Sequence, residues 1–167
     1  MKSLILAAAL TATMATAASA ALPTPISEVS VSIGPELQAK ANKYGQKDLD
    51  MLARDLKRDV ERALARSGSA GPGGASLQLV LVDAVPNRPT FKQLGDHVGL
   101  SYDSFGVGGA AIEGAIVYPD GRRQPVRYKW YETDIRQTPN LWTWTDAAWT
   151  FEQFADRLAA GKAYAER

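Results

Sequence analysis

Residues 46–67 read QKDLDMLARDLKRDVERALARS, with apolar positions recurring at helical spacing. At about 100° per residue, Leu49, Leu52, Ala53, Leu56, Val60, Ala63 and Leu64 fall within an arc of about 120°. Every charged residue from Asp50 to Arg66 lies outside that arc. The spacing predicts an amphipathic helix that lays one stripe on a core. Asp48 or a neighbour suits its N-cap, acidic Asp48 and Asp50 suit the positive end, and Arg62 and Arg66 suit the other. Gly68 fits the left-handed position past the last turn. Asp50 with Arg54 and Asp55 with Arg58 are expected as surface pairs, each worth about 0.3 kcal/mol.

Working outward from this helix, the period changes. On its N-terminal side, Glu28 to Ile33 alternates Val29, Val31 and Ile33 with Ser30 and Ser32, the pattern of a half-buried strand ended by Gly34-Pro35. A polar connector fills the gap to Gly45. On the other side, Ser67 to Gly74 (SGSAGPGG) reads as a flexible connector. In Ser76 to Val85, Leu77, Leu79 and Leu81 alternate with Gln78, Val80 and Val82. Both faces are largely apolar, which predicts a central strand covered on both sides, or mostly so.

Pro86 to Phe105 is irregular, apart from one helical turn expected at Thr90 to Leu94 with Pro89 at an N1-like position and Gly95 as its stop. A connection of this length is either functional or a plain crossover between strands. Gly106 to Tyr118 then reads as a strand, Pro119-Asp120-Gly121 as a turn of more than two residues, and Pro125 to Glu132 as the returning strand. Val126, Tyr128 and Trp130 share one face of it; Arg127, Lys129 and Tyr131 share a wet one. Asp146 to Ala160 repeats the helical stripe through Ala147, Phe151, Phe154, Ala155 and Leu158, with Thr145 or Asp146 as N-cap and Gly161 as stop. Trp149 points away from that stripe. The expected fold is an α/β (α+β) two-layer sandwich of order β-α-β-β-β-α, in which a mainly antiparallel sheet of about four strands carries both helices on one face.

The far N-terminus carries an address. Lys2, the apolar run Leu4 to Leu10 and the small-x-small Ala18-Ser19-Ala20 predict a signal peptide over 1–20, leaving 21–167 as one globular domain. No stretch approaches the ~20 apolar residues of a transmembrane helix. The expected location is the periplasm, with the extracellular space as the alternative. The chain has 19 basic and 18 acidic residues, so with Lys2 set aside the charges balance. That balance argues against nucleic acid or an anionic membrane surface as partner. Cysteine is absent, which excludes disulfides, thiolate chemistry and a lipidated N-terminal cysteine.

No motif names a chemistry. His97 is the sole histidine, and Asp96, Ser101, Asp103 and Ser104 around it form no nucleophile elbow. Gly106-Val107-Gly108-Gly109-Ala110-Ala111 fits the letters of a dinucleotide fingerprint, but an alternating strand follows where a helix is required, so these glycines read as a bulged or flexible strand start. No cofactor and no metal-ligand spacing is indicated. Glu113, Glu132 and Asp134, with His97, are the candidates for acid/base hydrolysis of glycans or esters, although Arg127 or Lys129 on the same sheet is equally placed to neutralise an acid there. The aromatic cluster is the stronger signal. Trp142 and Trp149, with Tyr131, Arg127, Lys129 and Arg136, have the composition of a binding surface, while Trp130 and Trp144 are expected to fill space between sheet and helix.

The first strand at Val29-x-Val31-x-Ile33, the long helix, Leu77-x-Leu79-x-Leu81, and Gly108-Gly109-Ala110-Ala111-Ile112-Glu113-Gly114 followed by Tyr118-Pro119-Asp120-Gly121 together resemble small bacterial envelope domains. The likeness is to the transport-auxiliary lipoproteins and to the N-terminal domain of TolB. It implies a two-layer fold in the envelope and carries over no site residue; the cysteine of the lipoprotein members has no counterpart here. The expected function is non-catalytic binding of a protein or cell-envelope component, through an exposed sheet edge or the tryptophan-rich surface. Hydrolysis at the residues above, and binding of a small apolar or aromatic ligand, are the alternatives.

Overall fold

The computed structural model describes residues 24–138 and 141–162; the expected signal peptide lies outside the described residues. Strands β1 (Ile26–Ile33), β2 (Ala75–Val85), β3 (Gly109–Val117) and β4 (Arg123–Tyr131) form one sheet in that spatial order. β1 and β2 run parallel, and the other two pairs are antiparallel. Parallel neighbours need a crossover rather than a hairpin. Here the crossover holds three helices, α1 (Pro35–Gln38), α2 (Ala41–Tyr44) and α3 (Gln46–Arg66). The chain continues through α4 (Phe91–Asp96) between β2 and β3, and ends, after a 3₁₀ turn at Ile135–Gln137, in α5 (Thr145–Ala159).

The two long helices pack against each other, α3 also against β1 and α5 also against β3 and β4. The stripe is buried as its period requires: Leu49, Leu52, Leu56, Val60, Ala63 and Leu64 from α3 join Phe151, Phe154 and Leu158 from α5. They meet Leu77, Leu79 and Leu81 of β2 and Ile112 and Ile116 of β3 in one hydrophobic cluster. Both helices end alike. Ser69 N–H donates to Leu64 O and Gly68 N–H to Ala65 O after α3, while Lys162 N–H donates to Arg157 O and Gly161 N–H to Leu158 O after α5. Gly68 (φ +69°) and Gly161 (φ +68°) occupy the left-handed position of this closure.

Several local expectations are corrected. The second face of β2 is not covered: both long helices sit on the Leu77 side, leaving Gln78 exposed and Val80 half-buried. The polar connector before Gly45 contains α1 and α2, which bury Leu37 and Tyr44. Neither long helix has a side-chain N-cap, since Gly45 and Trp144 hold those positions. Asp55 does pair with Arg58 at 2.6 Å, but Asp50 accepts from Gln46 instead of pairing with Arg54. The SGSAGPGG stretch is pinned rather than loose. Ile26 N–H donates to Ser69 O, Gly71 N–H to Ile26 O, and Ala75 N–H to Pro25 O.

The two sheet edges differ. β4 presents Arg123, Pro125, Arg127 and Lys129, the charges and proline that discourage further pairing. Along β1, Lys57 of α3 reaches across to donate to the Val29 carbonyl at 2.8 Å.

Candidate functional site

The Pro86 to Phe105 excursion is a closed Ω-loop. Its neck is tied by Gly106 N–H donating to Asn87 O at 2.8 Å, and it is fastened to the chain before α5 by Asn87 N–H donating to Thr143 O at 2.7 Å. Below the neck lies a buried polar node. Asp146, fully buried in the first turn of α5, accepts from the Asn87 side-chain amide and from Gly108 N–H (2.9 Å), while its own N–H donates to Asn87 Oδ1 (2.9 Å). Asp146 Oδ1 has no protein partner among the described residues. A Cβ at Gly108 would stand 2.8 Å from Val85 O and 2.9 Å from Asn87 Oδ1, so the glycine is what lets β3 start against this node. Gly108 and Gly109 of the dinucleotide-like run are therefore a packing device, whereas Gly106 has open space around it, and β3 begins only at Gly109 because the Gly106 and Gly108 N–H groups are bonded to Asn87 and Asp146.

On the loop itself, Thr90 is the N-cap of α4. Its Oγ1 accepts from Gln93 N–H at 3.2 Å while Gln93 Oε1 accepts from Thr90 N–H at 3.1 Å. This reciprocal box puts Pro89 before the cap rather than at N1 and makes Phe91 the first helical residue. Arg88 crosses the loop base, donating to Leu141 O at 2.6 Å and Tyr102 O at 2.8 Å, with its guanidinium 5.5 Å from the Tyr102 ring centre.

A cavity of about 480 Å³ opens where the Ω-loop meets the N-terminal ends of α3 and α5. The loop gives it Pro89, Thr90, Phe91 and Tyr102; α3 gives Asp48 and Met51; the segment entering α5 gives Trp142, Thr143, Trp144, Thr145 and Ala148. Its size is that of a small-molecule site. Phe91 is 86% exposed and Trp142 76%, which is unusual for rings of this area. Trp144 is the floor. It is buried, meets Tyr44 edge-on at 5.7 Å, and donates its indole N–H to Asp48 Oδ2 at 3.2 Å. Two of the three threonine hydroxyls are engaged internally, Thr90 as above and Thr145 by Trp142 N–H at 2.9 Å. The wall is thus mainly apolar, and among the described residues Asp48 is the only formally charged one on it.

No family model matches the chain, and no curated protein matches it. Among solved structures, a minor lipoprotein from Acinetobacter baumannii aligns with 79% of this chain and 88% of its own, at 11% identity and a TM-score of 0.37. What the cavity holds is read from its own residues.

Of the residues singled out in the sequence, Trp142 forms the cavity rim, and Trp149 is 41% exposed on α5 but does not line the cavity. Tyr131, Arg127, Lys129 and Arg136 do not line it either. Arg127 and Lys129 stand on the open sheet face because β4 alternates, Arg127 paired to Glu113 directly across the ladder at 3.1 Å. Tyr131 donates to Asp83 Oδ2 at 2.8 Å, and Lys40 meets Asp83 Oδ1 at 2.7 Å. Partial burial alone would raise the Asp83 carboxyl, but these two hydrogen bonds and the Lys40 charge outweigh it and hold it below its ordinary value. The hydrogen bond to Asp83 raises Lys40 against a smaller effect of burial. Burial, then Asp83, push the Tyr131 phenol upward.

None of the acid/base candidates lines the cavity. Besides Glu113, Glu132 accepts Thr133 N–H (2.7 Å) and Asp134 N–H (2.9 Å), and Asp134 grips Arg136 at 2.7 Å. His97 is an exposed residue at the end of α4. Among the described residues no group of three or more His, Cys, Asp or Glu is placed to hold a metal ion. Nor is any described helix long and apolar enough to cross a membrane. Phe91, Tyr102 and Met51 were not singled out in the sequence, and Asp48 was read there only as a helix-capping acid. The one local signal was Thr90-x-x-Gln93, which places Phe91 at the head of a short helix.

Proposed function

We propose that this chain is an exported, non-catalytic protein of the bacterial envelope, periplasmic rather than extracellular, that binds an envelope component in the cavity between the Ω-loop, α3 and α5. One observation carries the reading: Phe91 and Trp142 stand almost fully in water at the mouth of a mostly apolar cavity of about 480 Å³. Leaving two large rings in water sacrifices roughly 1.5–3 kcal/mol of available burial for each, a sacrifice that a ligand covering both would recover. That Glu113, Glu132, Asp134 and His97 all lie off the cavity wall, with Glu113 and Asp134 paired to arginines, supports binding over hydrolysis.

The test uses the mature chain and N-phenyl-1-naphthylamine, a neutral apolar dye that brightens on leaving water. Bright, saturable binding is expected for the wild type. It should be lost in Phe91→Ser with Trp142→Ser, whose melting temperature should stay within about 2 °C because neither ring is buried. Binding that survives both changes removes the cavity from consideration.

A further inference from the structure

Resting on that reading, we infer that the cavity selects a small organic cation: an apolar or aromatic body carrying one ammonium group, with the nitrogen set beside Asp48. Charge complementarity selects the cation. Among the described residues Asp48 is the only formally charged one on the wall, it takes part in no ion pair, and its one side-chain bond is from the Trp144 indole to Oδ2. A carboxylate accepts more than one hydrogen bond, so Asp48 retains accepting capacity beyond the indole. A ligand that dries the cavity must meet that capacity.

A hydrocarbon leaves the desolvated carboxylate with the Trp144 indole as its one partner, and an anion adds repulsion. An ammonium supplies both the donor and the opposite charge. The aromatic walls point the same way, since Trp142, Tyr102 and Phe91 line the cavity and aromatic quadrupoles attract a cation. Arg88 does not fill this role from within the chain. It lies outside the cavity lining, held by the Leu141 and Tyr102 carbonyls.

Three probes of one skeleton separate these possibilities by displacing the dye at neutral pH: 2-phenylethylammonium, 2-phenylethanol and 3-phenylpropionate. The cation should displace at a concentration about tenfold lower than the alcohol, with the anion weakest. Asp48→Asn keeps an acceptor for the Trp144 indole and removes only the charge, so it should bring cation and alcohol within about threefold of each other. In the wild type, half-molar salt should erode the advantage of the cation and leave the alcohol unchanged, which gives the same answer without any variant. Equal displacement by alcohol and cation, or a cation preference untouched by both Asp48→Asn and salt, overturns this inference while leaving an apolar binding site intact. A dye that never binds at Phe91 and Trp142 overturns the site itself.

Discussion

Asn87 does more than any other single residue to shape the molecule around the cavity. Its side chain bonds both the backbone N–H and one carboxylate oxygen of Asp146, and its main chain joins the neck of the Ω-loop to the segment before α5. Asn87→Ala should lower stability by about 3 kcal/mol in urea denaturation, because it leaves a fully buried carboxylate short of a donor. The Lys40, Asp83 and Tyr131 group makes a different prediction. The Lys40 contribution is complete below its ordinary value of 10.5 and is lost as pH rises through its higher folded value. Tyr131, also raised, keeps its proton in the folded state where an unfolded tyrosine ionises above 10.0, so it too removes stability on the alkaline side. Asp83, lowered, contributes above its ordinary 3.8 and loses that contribution as pH falls below it. A melting-temperature profile should decline above about pH 10, and Tyr131→Phe should make that decline shallower.

At the scale of elements, glycine positions separate two kinds of demand. Gly68 needs only its left-handed backbone, with open space around it, so Gly68→Ala should cost about 1 kcal/mol. Gly109 combines φ +149° with a Cβ position 2.3 Å from Trp130 O, and Gly109→Ala should cost about 3 kcal/mol or prevent folding, read by urea midpoint and circular dichroism. The long elements were legible because burial imposes a period on them: α3 and α5 each show one apolar stripe, and β1 to β4 alternate or run apolar. α1 and α2 were not, because four residues are too few for a 3.6-residue period to show, and Leu37 and Tyr44 are buried singly within polar text. The cavity was half legible. Trp142 stood out by residue type, whereas Phe91 and Tyr102 sit in an irregular loop whose course depends on Asn87 meeting Asp146, 59 positions away. No local pattern encodes a contact of that span.

Across the whole molecule, stability is concentrated in the layer of α3 and α5 against the sheet, while the cavity is built at its margin from a loop held mainly at its base. Amide hydrogen exchange should therefore grade sharply. The amides of Asn87 and Gly106 at the neck should be protected nearly as well as β2, and those of Gly95 to Ser101 should exchange orders of magnitude faster, while a single urea transition, identical with and without reductant, reports the core. Uniform protection through the loop would contradict this division.

The closed neck also separates two kinds of heredity. Because Asn87 and Gly106 join the loop's ends beneath it, and Val98 near its crest stands wholly in water, letters between Leu94 and Leu100 can be exchanged or lengthened without the sheet registering the change. Relatives built on the same frame are thus free to diverge in what they recognise while remaining identical in how they stand, and a foreign epitope spliced beside Val98 should ride on the folded protein as a passenger.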